Sequence, residues 1–206
     1  MKTLRQPSKS ESAIISQSPY LHKSLQGELP DLWEKFQGGN SSALTALYRQ
    51  YVQQLYNYGR QFAEHAIVQD CIQDVFYDLI RKRENLKSVQ NVKAFLFACL
   101  RHRVIKQLKK LEKQQSNVLV RLRGGFGVDL VEVPFEDREV MVQEEIDKLK
   151  AACNQLTDRQ REAVLLYYYE KLSYKELTTV MQLGKISSAR ILMHRAMQSL
   201  RKILCH

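Results

Sequence analysis

The sequence predicts an all-α protein of two small helical domains joined by a flexible linker, the second domain containing a helix-turn-helix. Apolar residues recur at spacings of three and four over most of the chain, the mark of amphipathic helices. With only 8 Gly and 4 Pro among 206 residues, there is too little turn chemistry for a many-stranded sheet. Between the two helical blocks, residues 114–139 carry a Gly-Gly-x-Gly, a proline and no helical period, a composition suited to a linker.

Taken in order, residues 1–30 are polar and Ser-rich and lack a secretory apolar segment, so a disordered tail is expected. The first domain is placed at 31–113. "PDLWEKFQ" opens a helix, with Asp31 suited to its positive end, and "GGN" at 38–40 ends it. In the next helix Leu44, Leu47, Tyr48, Tyr51, Leu55 and Tyr58 form an apolar stripe. A third helix, "AIVQDCIQDVFYDLIRKRE", sets Val68, Ile72, Val75, Phe76 and Leu79 against Asp70, Gln73, Asp74, Tyr77 and Arg81. After the polar break "NLKSVQN", a fourth helix runs from "VKAFLFACL" into "RHRVIKQLKKLEK". The second domain is placed at 140–206. Thr157 with Gln160, and Ser173 with Glu176, have the spacing of capping boxes that start two of its helices. The short helix from Ser173, a tight turn and a longer helix starting near Ser187 have helix-turn-helix dimensions.

A net charge of +10 points to a polyanionic partner, most often nucleic acid, or to an anionic membrane surface. No apolar run approaches the length that spans a bilayer, and a cytoplasmic protein is expected. The four cysteines are far apart and form no metal-ligand pattern, so buried free thiols are expected and neither a metal nor any cofactor. No phosphate-binding, zinc-protease or nucleophile-elbow motif is present, which makes a non-enzyme the expected class.

Charge is clustered at three places. The last helix carries Ser187, Arg190, His194, Gln198 and Arg201 on one face with Arg195 and Lys202 beside them, and no carboxylate follows Gly184. Such a face can bond base edges and phosphates in a major groove, although a solvated surface helix has a similar pattern. Arg101, Arg103, Lys106, Lys109 and Lys110 crowd ten residues of the fourth helix, more cations than a helix dipole calls for, and phosphate contact is the better account. Asp70, Gln73, Asp74 and Asp78 form an acidic face suited to a protein contact or merely to solvent.

"ALTALYRQYVQQLYNYGRQF", "VQDCIQDVFYDLI" and above all "LTDRQREAVLLYYYEKLSYKEL" resemble bacterial RNA polymerase sigma factors of the extracytoplasmic-function group within the sigma-70 family. The resemblance covers roughly 32–110, as region 2, and 140–204, as region 4. It implies core RNA polymerase and promoter DNA as partners, leaves room for an anti-sigma factor, and implies no membrane insertion. It also implies that Asp70, Gln73 and Asp74 dock on the polymerase. Ser88, Gln90, Asn91, Lys93, Arg101, His102, Arg103 and Lys106 would then meet the separated −10 strand. Lys185, Ser187, Ser188, Arg190, His194 and Arg195 would meet the −35 element, while the polymerase itself does the chemistry.

The chain departs from the family pattern at "AFLFA", where Phe95, Phe97 and Ala98 stand in place of Trp, Tyr and Arg, and at His102, where Asn is common. Phe95 is expected in the core. The turn "MQLGKISSAR" is one residue longer than the common form. Two other classes compete: a LuxR-like helix-turn-helix regulator that is not a polymerase subunit, and an all-helical interaction adaptor. The regulator would not need the acidic helix or the second basic helix, and the clustered cations argue against the adaptor.

Overall fold

A computed structural model describes residues 29–86, 89–114 and 143–204. The first block comprises α1 (Leu29–Gln37), α2 (Ser41–Gly59), α3 (His65–Lys82), a single 3-10 turn (Arg83–Asn85) and α4 (Val92–Gln114). The second comprises α5 (Gln143–Asn154), α6 (Asp158–Val164), a π turn (Leu165–Tyr169), α7 (Tyr174–Met181) and α8 (Ile186–Leu204). No strand occurs among the described residues. The expected tail and linker lie outside them, apart from the first and last residues of neighbouring helices.

Local chemistry accounts for the helix starts. Asn40 caps α2, its side chain accepting from the Ala43 N–H at 3.1 Å. Asn91 does the same for α4, accepting from Ala94 N–H at 2.8 Å. Both capping boxes form: the side chains of Thr157 and Ser173 accept from the N–H groups of Gln160 and Glu176, whose own side chains reach back. Each satisfies N–H groups that a helix start leaves without partners.

The apolar faces form the core. Leu47, Tyr51, Leu55 and Tyr58 of α2 are buried with Val68, Ile72, Val75 and Leu79 of α3 and Leu96, Phe97, Leu100 and Val104 of α4. Gly59 permits a close approach here: a Cβ at this position would lie 2.6 Å from Val68 Cγ1. Tyr48, at 41% exposure, sits at the edge of the stripe with its ring 5.0 Å from that of Phe76. Cys71 and Cys153 are buried and Cys99 half-buried, all as free thiols, and burial pushes Cys71 up to about 11.

The structure departs from the sequence reading at two points. The helix that the Thr157 box starts leaves regular α geometry at Leu165, and the Glu170 N–H bonds Leu165 O five residues back. Such a widened turn rotates the side chains that follow it. Phe97 is fully buried, whereas Phe95, the residue expected in the core, is half-buried against the edge of Trp33. The two blocks are in direct contact. They are packed against each other, with α4 lying along α7; most of their buried apolar residues form one contiguous cluster, and Ala152, Cys153, Leu156 and Leu200 form a second.

Candidate nucleic-acid interface

The helix-turn-helix is α7, a turn and α8. Helix α7 ends on Gln182 in the left-handed conformation (φ 54°), and Gly184 follows with φ 71°. Lys185 N–H bonds Leu183 O at 2.8 Å and Ser188 N–H bonds Lys185 O at 3.1 Å, closing the lengthened turn directly onto α8. Ala189, Met193, Ala196 and Leu200 anchor α8 to the core. That anchoring directs Lys185, Ser187, Arg190, His194 and Arg195 outward, all exposed, with Ser188 half-buried at the helix start. Arg190 lies 5.9 Å over the ring of Tyr174, which stacks on Tyr167 at 4.8 Å. This cation–π support holds the guanidinium at the surface without neutralising it. Ile186 and Ile191 are also exposed on α8, at 42% and 52%, which the sequence pattern did not single out.

The residues expected at the −10 element are divided among several environments. His102 and Lys106 are exposed on α4, and Ser88 lies outside the described residues. Arg103 turns towards α3, donating from Nη1 to Asp74 at 2.9 Å and from Nη2 to Asp78 at 2.6 Å. The other four meet the second block. Arg101 donates to the buried Glu162 carboxylate, from Nε at 2.6 Å and from Nη2 at 3.2 Å. Lys93 donates to Glu170 Oε2 at 2.7 Å and to its backbone carbonyl at 2.8 Å. Asn91 donates to Glu176 Oε1, and Gln90 accepts from Lys175 Nζ at 2.9 Å.

The electrostatics follow from burial. Tyr58, buried beneath the same contact, donates to Glu162 Oε1 at 2.6 Å, and its hydroxyl is held well above the usual range by burial and then by the Glu162 charge. Burial opposes the Arg101 charge, but its hydrogen bond to Glu162 and that carboxylate's charge outweigh it and raise the guanidinium further. Burial raises the Glu170 carboxyl, against the pull of Lys93. Tyr169 is raised by burial and by Glu170, against a hydrogen bond with Asn57 of α2.

Sequence reasoning missed Glu162 and Glu170 altogether and gave Glu176 only its capping role.

In the first block, Asp70, Gln73 and Asp74 are exposed on α3, with Asp74 tethered by Arg103. Tyr77 and Ile80 stand beside them at 64% and 48% exposure, giving this acidic surface an apolar component. Among the described residues no group of His, Cys, Asp and Glu could hold a metal ion, and no helix is long and apolar enough to cross a membrane.

Comparison with known proteins agrees with this division. The Sigma-70 region 2 model matches residues 47–114 and the Sigma-70, region 4 model matches residues 152–202. RNA polymerase sigma factor YlaC of Bacillus subtilis (strain 168) is 22% identical over 159 residues, covering 76% of this chain and 88% of that protein. ECF RNA polymerase sigma factor SigM of the same organism is 26% identical over 161 residues, covering 76% and 92%. Among solved structures, CnrH in complex with the cytosolic domain of CnrY aligns with a TM-score of 0.57 at 16% identity, covering 85% of this chain and 96% of that chain. The sigma factor RpoE of Bartonella quintana, in complex with the anti-sigma factor NepR, aligns with a TM-score of 0.53 at 21% identity, covering 77% and 94%. The fold is therefore that of these two proteins. With both conserved regions matched in order, the chain belongs to the sigma-70 family of bacterial RNA polymerase sigma factors, in its extracytoplasmic-function group.

Proposed function

We propose that this sigma factor divides its work between three surfaces. The outer face of α3, with Asp70, Gln73 and Asp74, docks on core RNA polymerase. The start of α4, with Gln90, Asn91, Lys93 and Arg101, engages the separated −10 strand, helped by His102 and Lys106. Helix α8 enters the major groove of the −35 element with Lys185, Ser187, Arg190, His194 and Arg195. The domain boundaries that go with this division are 31–113 and 140–206. The observation that carries the reading is the outward face of α8, cationic and free of carboxylates, set on a capped and glycine-turned helix-turn-helix. A cytoplasmic protein that leaves catalysis to the polymerase follows from the same reading. An anti-sigma factor is a further proposed partner, since both solved relatives were captured with a protein partner.

The direct test is transcription with purified core polymerase, mapping where RNA begins. The protein is expected to redirect initiation to promoters with spaced −35 and −10 elements. Tight binding to duplex DNA with no effect on start sites would favour a helix-turn-helix regulator instead.

Arg190→Ala is expected to weaken promoter use by about 1–3 kcal/mol, the contribution of a good base contact. A series of −35 variants tells the kind of contact: a loss confined to one base position identifies a reader, and an equal loss on every sequence identifies a phosphate contact.

A further inference from the structure

We propose that Ile191 is a base-reading residue of α8, packing against the C5-methyl group of a thymine in the −35 element. The inference rests on the reading of α8 as the −35 helix, and adds to it a residue and the base it selects. Ile191 is 52% exposed. A single exposed isoleucine is ordinary on a protein surface. This one stands where a reading residue would.

Ala189, Met193, Ala196 and Leu200 hold the helix to the core. At about 100° of rotation per residue, Leu200 points directly away from Ile191, and Ala189 and Met193 point nearly so. Ile191 therefore crowns the outward face. Ser187 and Ser188 lie one turn before it and His194 and Arg195 one turn after, with Ser187, His194 and Arg195 exposed. It falls in the second turn of α8, and recognition helices meet base edges through their N-terminal residues. Ile186 is exposed too, at 42%, but it occupies the first helical position. It is turned about 140° from Ile191, on the Met193 side.

Neither folding nor charge accounts for an isoleucine there. Its branched Cβ makes it a poorer helix former than the leucine, lysine or arginine this face could hold. Packing does not require it, since the side chain faces away from the core. A surface for phosphates alone would be better served by a further cation. In a major groove, however, the apolar group on offer is the thymine methyl. An isoleucine covers it, and its stiff χ1 means that little rotamer freedom is lost on contact. Ser187, His194 and Arg195 around it can satisfy the polar edges and phosphates of neighbouring nucleotides. Any other base at that place sets the isoleucine against an edge without a methyl.

The test uses holoenzyme assembled from core polymerase and the full chain, transcribing promoter duplexes randomised over the −35 and −10 elements. Wild type is expected to prefer thymine at one or more −35 positions, on either strand. In a preferred duplex, deoxyuridine then replaces each such thymine in turn, removing the methyl and keeping every hydrogen-bonding group. At one of them initiation is expected to fall about fourfold, the effect of leaving one methyl-sized group unburied. With Ile191→Ser the thymine and deoxyuridine duplexes are expected to be used equally, whereas Ile186→Ser keeps the difference. Absence of a thymine preference overturns the proposal, as does a wild type indifferent to deoxyuridine, and neither result depends on a variant. A difference that survives in Ile191→Ser, or that is lost equally in Ile186→Ser, assigns the methyl to another residue and overturns it too. Failure of the functional reading has a separate signature: wild type then redirects core polymerase to no member of the library, and both readings fall together.

Discussion

Asp70→Lys is expected to weaken binding to core RNA polymerase by more than about a hundredfold, roughly 3 kcal/mol, while leaving the fold and both DNA-facing helices intact. The size follows from the proposed docking through this acidic face, where a lysine would replace attraction with repulsion and the two changes add. Asp70 suits the test because it is exposed on the outer face of α3. Asp74 does not suit it equally. Arg103 grips Asp74 at 2.9 Å and Asp78 at 2.6 Å, so a lysine at Asp74 would also repel the guanidinium that ties α3 to α4. A loss measured for Asp74→Lys would mix docking with packing. For Asp70→Lys the thermal midpoint should stay close to wild type, as for surface changes away from special features. Competition for core polymerase gives the affinity, and an unchanged dissociation constant would remove α3 from the interface.

The contrast between Asp70 and Asp74 shows where the sequence is legible. Signals contained in a few consecutive residues survive intact. Thr157 with Gln160 and Ser173 with Glu176 form the expected boxes because the partners are three residues apart. The apolar spacing of α2 and α3 likewise gives their buried faces. Long-range pairing leaves no such local trace. Arg101 and Glu162 are 61 residues apart, and Tyr58 and Glu162 are 104 apart. A cation at Arg101 therefore looked available for phosphate, and nothing nearby showed that a carboxylate from the other block covers it. The same blindness applied to Phe95 and Phe97. A helix packed on one side has one buried face, but α4 is packed by α2, α3 and α7. Spacing alone could not say which of two aromatics only two residues apart lies deepest.

Phe97→Ala is expected to destabilise the protein by about 3–5 kcal/mol, the usual cost of emptying a buried aromatic site. Phe97 has 0% exposure and lies with its ring 5.0 Å from that of Tyr58. Lys93 Nζ is 5.6 Å from the ring centroid on α4 itself. The cavity would open beneath the residues that carry the contact between blocks, since Tyr58 donates to Glu162 and Lys93 to Glu170. Urea unfolding should show the loss as a lower midpoint. Phe97→Tyr separates packing from polarity: it restores the family's more common residue and the ring volume, but adds a hydroxyl inside a fully buried site. It is expected to cost about 1–3 kcal/mol, the penalty for a buried hydroxyl without a partner, and so to fall between wild type and alanine. A tyrosine as stable as wild type would mean that its hydroxyl finds an acceptor at the seam. Glu162, which already accepts from Tyr58, would then be the first group to examine.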